Sequence, residues 1–237
     1  MRVSAFRRYL HDDSNTDSES ARLSTRLSAL NPSLVQDLRR FEAPAGPAPA
    51  LELLEVMAAA VRHGKRLRMH LQHELRTLPL TVFPAERLVH CPLPMALLLE
   101  LRLADLQVLH VEPAVLGAPG DGPGARLADS DLYSPLGPWL WELSLRGARE
   151  ELLPEVAGVA AYRVAPGADL AALGLAGTLA AAVQRLQRDN ANLRDITAWP
   201  GFDRSRAMRL LNGLYLQAAL IISRTHPAAA SEPRARP

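Results

Sequence analysis

One cysteine, Cys91, stands in 237 residues, so this chain forms no internal disulfide and builds no thiolate metal cluster. Long apolar runs are also missing. Nothing approaches the roughly 18 uninterrupted apolar residues that a transmembrane helix needs. The N-terminus, with Phe6-Arg7-Arg8 followed almost at once by Asp12 and Asp13, lacks the hydrophobic core of a secretory signal. A cytoplasmic location is the expectation. Charge of one sign is scarce too: 27 Lys and Arg against 25 Asp and Glu leave +2, too little for a strong basic field. That balance gives little support to nucleic-acid binding.

Chemistry-bearing motifs are equally thin. There is no Gly-x-Ser-x-Gly elbow, and Cys91, between His90 and Pro92, carries no signal of a lowered thiol pKa. A lone cysteine is ordinarily a small buried hydrophobe. The glycine-rich stretch 117–124 lacks the Gly-x-x-x-x-Gly-Lys-Ser/Thr spacing of a phosphate loop, and it reads as a surface loop. His70, His73 and Glu74 lie close in sequence. On a strand, however, His70 and His73 point to opposite faces and cannot hold one ion. No catalytic set, cofactor site or metal site is expected.

What is present is 48% hydrophobic residues, leaning to Leu and Ala over aromatics, which is ample for a helical core. Residues 11–20 contain no apolar side chain and are expected to be disordered. Two helical stripes follow: Leu23, Leu27 and Leu30, then Leu34, Leu38 and Phe41. A Pro/Ala linker over 43–50 comes next. Leu53, Leu54, Met57, Ala60 and Val61 make a helix face ended by His63-Gly64-Lys65, a glycine C-cap signal. Strands are predicted over 67–71, 80–83 and 87–91, with a Pro84-Ala85-Glu86 turn between the last two. A helix over 95–103 and a strand over 106–111 follow. The order predicts an α+β fold with a small antiparallel sheet covered by helices. Beyond the loop comes a helix over 138–151 and an alternating segment over 160–164.

From 179 to 222 the spacing is the most informative in the chain. Leu179, Val183 and Leu186 form one stripe; Leu193, Ile196 and Trp199 form another, closed by Pro200-Gly201. Asp203 can cap a third helix carrying Ala207, Leu210, Leu211, Leu214 and Ala218, before a strand at 220–222. This is a winged-helix-like pattern. The chain thus divides into N-terminal helices and linker (1–50), an α+β domain (51–116), a Gly/Pro loop (117–130), a helical segment with the winged-helix-like module (131–226) and a disordered tail (227–237).

The run Leu53-Leu54-Glu55-Val56-Met57, Gly64, Arg66-Leu67-Arg68-Met69-His70 and Leu80-Thr81-Val82-Phe83-Pro84-Ala85-Glu86-Arg87-Leu88-Val89-His90 resembles the PATAN-type domain, named for the PatA N-terminus. The segment from Leu140-Trp141-Glu142 to Gly147 and the winged-helix-like end continue the likeness. Pro84-Ala85-Glu86 stands where that family has an acidic residue before glycine, and Cys91-Pro92 replaces a small residue. The resemblance implies a bacterial signalling adaptor without enzyme activity, its partner a response regulator or small GTPase.

Two candidate contact sites remain. If the third helix of the module reads DNA, Arg204, Ser205, Met208, Arg209 and Asn212 would face the major groove, with Arg and Asn suited to guanine and adenine. Asp195 and Asp203 offset those arginines, and the chain leaves little room for a wing after Ile222. Trp139 and Trp141, two apart on a helix, do not share a face. Either one is an interface anchor, or the helix is buried on two sides. A non-enzymatic protein-interaction adaptor is the first expectation, and a DNA-binding transcription regulator the alternative.

Overall fold

The structure is a computed structural model and describes residues 52–231. The N-terminal stripes at 23–41 and the acidic segment at 11–20 lie outside the described residues. The chain opens on α1 (Leu53–His63), whose face of Leu53, Leu54, Val56, Met57 and Ala60 is buried. Gly64 ends it at φ +60°, a left-handed turn that costs a glycine nothing.

Next come β1 (Leu67–His73), β2 (Arg76–Phe83), β3 (Leu88–His90), α2 (Met95–Glu100), β4 (Gln107–Pro113), β5 (Tyr133–Pro135) and α3 (Leu136–Arg146). The strands form one antiparallel sheet in the order β4-β1-β2-β3-β5. Strand β2 begins four residues earlier than its apolar alternation suggests. The β1–β2 hairpin turns on Glu74-Leu75, with Glu74 at φ +55°, and carries no Asn-Gly or Asp-Gly signature. The helix expected over 95–103 stops at Glu100, and a 3-10 turn at Leu103–Asp105 buries Leu103 instead. Strand β5 was not foreseen; it is three residues long and ends in proline, which an edge strand tolerates.

The remainder is β6 (Ala161–Val164), α4 (Gly177–Arg188), β7 (Ala191–Asn192), α5 (Leu193–Thr197), α6 (Arg204–Leu216) and β8 (Leu220–Ser223). The Asn192–Asp195 capping box starts α5. Asp203 caps α6, its carboxylate accepting from Arg206 N at 2.7 Å. The three strands pair in the order β7-β6-β8. The central strand therefore comes from upstream of the helices, filling the place a wing strand would take after β8. No wing hairpin forms among the described residues. Residues Pro227–Ser231, expected in the disordered tail, instead form a 3-10 turn. Ala229 is buried there, and Asn192 Nδ2 donates to Ala228 O at 2.9 Å.

One apolar cluster runs through both parts, from Leu53 and Leu67 to Leu210 and Leu214. Helix α3 joins them, because it is buried on both sides. Trp139 is 0% exposed and Trp141 3%, so neither anchors an interface. Trp141 packs on α6 at Gly213, where an added Cβ would lie 2.8 Å from the ring; glycine permits that approach. Among the described residues no helix is long and apolar enough to cross a membrane.

Candidate interaction surfaces

The DNA-reading row is built on α6, whose apolar stripe turns Ala207, Leu210, Leu211 and Leu214 into the core. The five candidate residues do not form a solvent-facing row. Asn212 is fully buried; its Oδ1 accepts from Leu153 N at 2.9 Å and its Nδ2 donates to Glu151 O at 2.8 Å. Arg209 donates to Leu145 O at 2.8 Å and Gly147 O at 2.9 Å. Met208 is buried at 9% exposure. Only Arg204 is exposed, with Ser205 half-buried. The physical reason is the segment between α3 and β6. It buries Leu153 and Val156 and has no regular backbone ladder, so Arg209 and Asn212 of α6 supply polar partners for the Gly147 and Glu151 carbonyls and the Leu153 N–H. Arg204 and Met208 line a cleft of about 390 Å³ with Glu151, Leu152, Val159 and Leu193.

The five-stranded sheet offers a different surface. Its inner face carries Leu67, Met69, Leu71, Leu80, Val82, Val89, Val108 and Val111, all buried. Register fixes the outer face, since directly paired residues share a side. Glu112, Arg68, Thr81, His90 and Tyr133 make one row across all five strands, and His110, His70 and Pro79 make the next.

One end of this outer face lies under the loop around 117–128. Phe83, Thr81 and His90 are buried there, with Tyr133 5.1 Å from His90 and 5.8 Å from Phe83 between ring centroids. Tyr133 Oη donates to Gly117 O at 2.7 Å, and Arg66 grips Asp121 with bonds of 2.6 and 2.9 Å while pairing Glu86. Burial, then the nearby Arg68 charge, holds the His90 imidazole below its ordinary pKa. Its Nε2 has no hydrogen-bond partner among the described residues.

The other end, over β1 and β4, is half-open. His70 Nε2 sits 3.0 Å from Glu112 Oε1, and Arg68 sits 3.6 Å from the same oxygen. The His70 bond, aided by Arg68, holds the Glu112 carboxyl below the usual carboxylate range. At this corner two leucines stand in water. Leu75, at the hairpin tip, is 100% exposed; Leu109, at the bulge in β4, is 50% exposed. Gln72 pairs with Gln107, which brings the tip and the bulge to the same end of the sheet.

Strand β1 extends through His73, so His70 and His73 do face opposite ways. Among the described residues no three His, Cys, Asp or Glu side chains come together as a metal site. Cys91 is 1% exposed, and burial pushes its thiol up to about 11. Nothing in the sequence marked the Leu75–Leu109 corner, because it depends on a hairpin without a turn signature and on a bulge.

Comparison with protein-family models, with curated proteins and with solved structures finds no match. The resemblance to the PATAN-type domain rests on the residues that carry it.

Proposed function

We propose that the protein is a non-enzymatic adaptor in bacterial signal transduction, working through protein contacts, as the PATAN resemblance implies. The observation that carries this reading is the Leu75–Leu109 corner. Two large apolar side chains held in water beside a half-open polar face form the kind of surface a partner covers. A response regulator or a small GTPase is the class of partner the resemblance suggests. Cross-linking in producing cells followed by purification tests it. The Leu75→Ser/Leu109→Ser variant should lose a stoichiometric protein partner at unchanged melting temperature. Equal recovery with the variant, or no protein partner at all, would sink the reading.

A second reading, duplex DNA binding, is favoured by one observation: residues 177–226 hold seven arginines against three aspartates. Against it stand the inward-facing Met208, Arg209 and Asn212. A salt-dependent gel shift lost on Arg204→Ala would support DNA binding and displace the adaptor.

A further inference from the structure

Outside that corner, the arginines of the C-terminal module stand out by what surrounds them. Residues 177–226 carry a net +4, while residues 52–176 carry a net −4, with 11 Lys and Arg against 15 acids. Arg185, Arg188, Arg194, Arg204 and Arg206 are all exposed, and none stands in an ion pair among the described residues. The aspartates near them serve helix ends. Asp195 closes the capping box of α5, and Asp203 caps α6.

Three of the five arginines converge. The Arg185 guanidinium lies over Trp199, 4.8 Å from the ring centroid, and the Arg206 guanidinium lies over Phe202 at 5.2 Å. The two rings meet edge to face at 6.3 Å. Arg188 follows one turn beyond Arg185 on the same face of α4. Arg206 is held by bonds of 2.9 Å to Gly201 O and to Thr178 Oγ1, neither of which cancels its charge. Stacking fixes the plane of a guanidinium and leaves its edge N–H groups free to fork onto a carboxylate.

We propose that this face, Arg185, Arg188 and Arg206 set on Trp199 and Phe202, is the docking surface for a carboxylate-rich segment of a protein partner. It rests on the adaptor reading and names the chemistry of what the adaptor holds. A polypeptide suits the face better than a nucleic acid does. Trp199 is only 8% exposed beneath Arg185, and Phe202 is half-buried beneath Arg206, so guanidinium groups already cover the rings on which bases could stack. Of the α6 residues that would read base edges, Arg209 and Asn212 are turned onto the chain's own backbone. Exposed Asp189, Asp195 and Asp203 interrupt the arginines. A duplex carries one charge per roughly 1.7 Å and would run over those aspartates, whereas discrete carboxylates can be spaced between them.

Fluorescence anisotropy with the full chain tests this, using a short labelled glutamate-rich peptide beside a short oligo-dT strand and a short duplex. The peptide should bind saturably, and Arg185→Gln/Arg188→Gln should weaken it by at least about tenfold, the worth of one charge-assisted contact. Arg194→Gln/Arg204→Gln removes the same charge from the first turns of α5 and α6 and should weaken it less than about threefold. Equal losses in the two variants would reduce the binding to general attraction and overturn the proposal, as would an absence of saturable binding. Tighter binding of either nucleic acid, lost in the Arg185/Arg188 variant, would overturn it in favour of that ligand. A partner recovered in cells that still binds the Arg185/Arg188 variant undiminished would remove this surface and leave the adaptor standing.

Discussion

In the sheet half, Arg66 reaches Asp121 and Glu86, Arg68 reaches Glu112, and Arg149 reaches Glu52 and Glu55. In the C-terminal module, six exposed arginines (Arg185, Arg188, Arg194, Arg204, Arg206 and Arg224) reach no carboxylate among the described residues. The same residue type therefore does two jobs in one chain. Paired arginines fasten loops and helix starts to the sheet, and each sits where backbone or carboxyl groups would otherwise be left unmatched. Unpaired arginines leave their charge in the solvent, where it adds little to folding and remains open to an outside anion. Arg209 marks the boundary. It belongs to the module by sequence, yet it bonds the carbonyls of Leu145 and Gly147 and so works for the junction.

The largest effects should come from that junction. Asn212→Ala leaves the buried Leu153 N–H without a partner, costing about 1–3 kcal/mol, and removes one of two bonds to the Glu151 carbonyl, which keeps Arg149 Nε, costing about 0.5–1.5 kcal/mol. A loss near 3 kcal/mol in urea unfolding, about the middle of that combined range, is expected. A loss below about 1 kcal/mol would mean that the segment finds other partners. Arg149→Gln comes next. Its side chain is 15% exposed and donates to Leu152 O at 2.8 Å and Glu151 O at 2.9 Å, besides its acidic partners. Burial nonetheless keeps the Glu52 carboxyl above its ordinary range, so the pair with Arg149 only partly offsets desolvation. The expected loss is therefore about 2 kcal/mol, owed mainly to the backbone bonds rather than to the charge pair.

These weights also explain what could be read from the chain. Period-two runs such as Leu67-Arg68-Met69-His70-Leu71, the Gly64 cap and the Asp203 cap are local, and the sheet, α1 and α6 follow from them. Strand β5 has three residues and only its partner β3 to define it, so no local pattern shows it. The central place of β6 is likewise a pairing across more than 25 residues on either side. Trp139 and Trp141 look like surface candidates because a helix alone has one buried face, and α3 acquires its second only when α6 packs on it at Gly213. Asn212 and Arg209 suit base edges by residue type, but they answer to a segment some 60 positions away. Ion pairing is as non-local as this, so sequence does not separate spent arginines from spare ones.

Acid should expose the paired half first. Glu112 is held low chiefly by the His70 hydrogen bond, and Asp121 chiefly by its hydrogen bonds from Arg66. In the fold, both stay charged at pH values where the unfolded chain has begun to take up protons. Their contribution is therefore complete above about pH 4, the ordinary carboxyl range, and is lost as pH falls through their lowered folded values. The Glu112→Gln/Asp121→Asn variant should lose stability less steeply below that point, as read from urea midpoints against pH. An acid limb parallel to that of the parent chain would show that these pairs carry no linkage.

The smallest effect is the one that bears most directly on the contrast. Arg185→Gln/Arg188→Gln should leave stability within about 0.5 kcal/mol of the parent, the usual span for surface changes. Losing the stack of Arg185 on Trp199 costs about 0.5–1 kcal/mol at an exposed site. Removing two like charges one turn apart returns a few tenths, by about 0.2–0.5 kcal/mol for such a pair. Salt gives the sign of the second contribution. Added salt screens repulsion between exposed arginines, so it should stabilise the parent slightly more than the variant. A loss above about 1 kcal/mol would instead make the Arg185–Trp199 stack a fastening like those of the sheet half, and the distinction between spent and spare arginines would close.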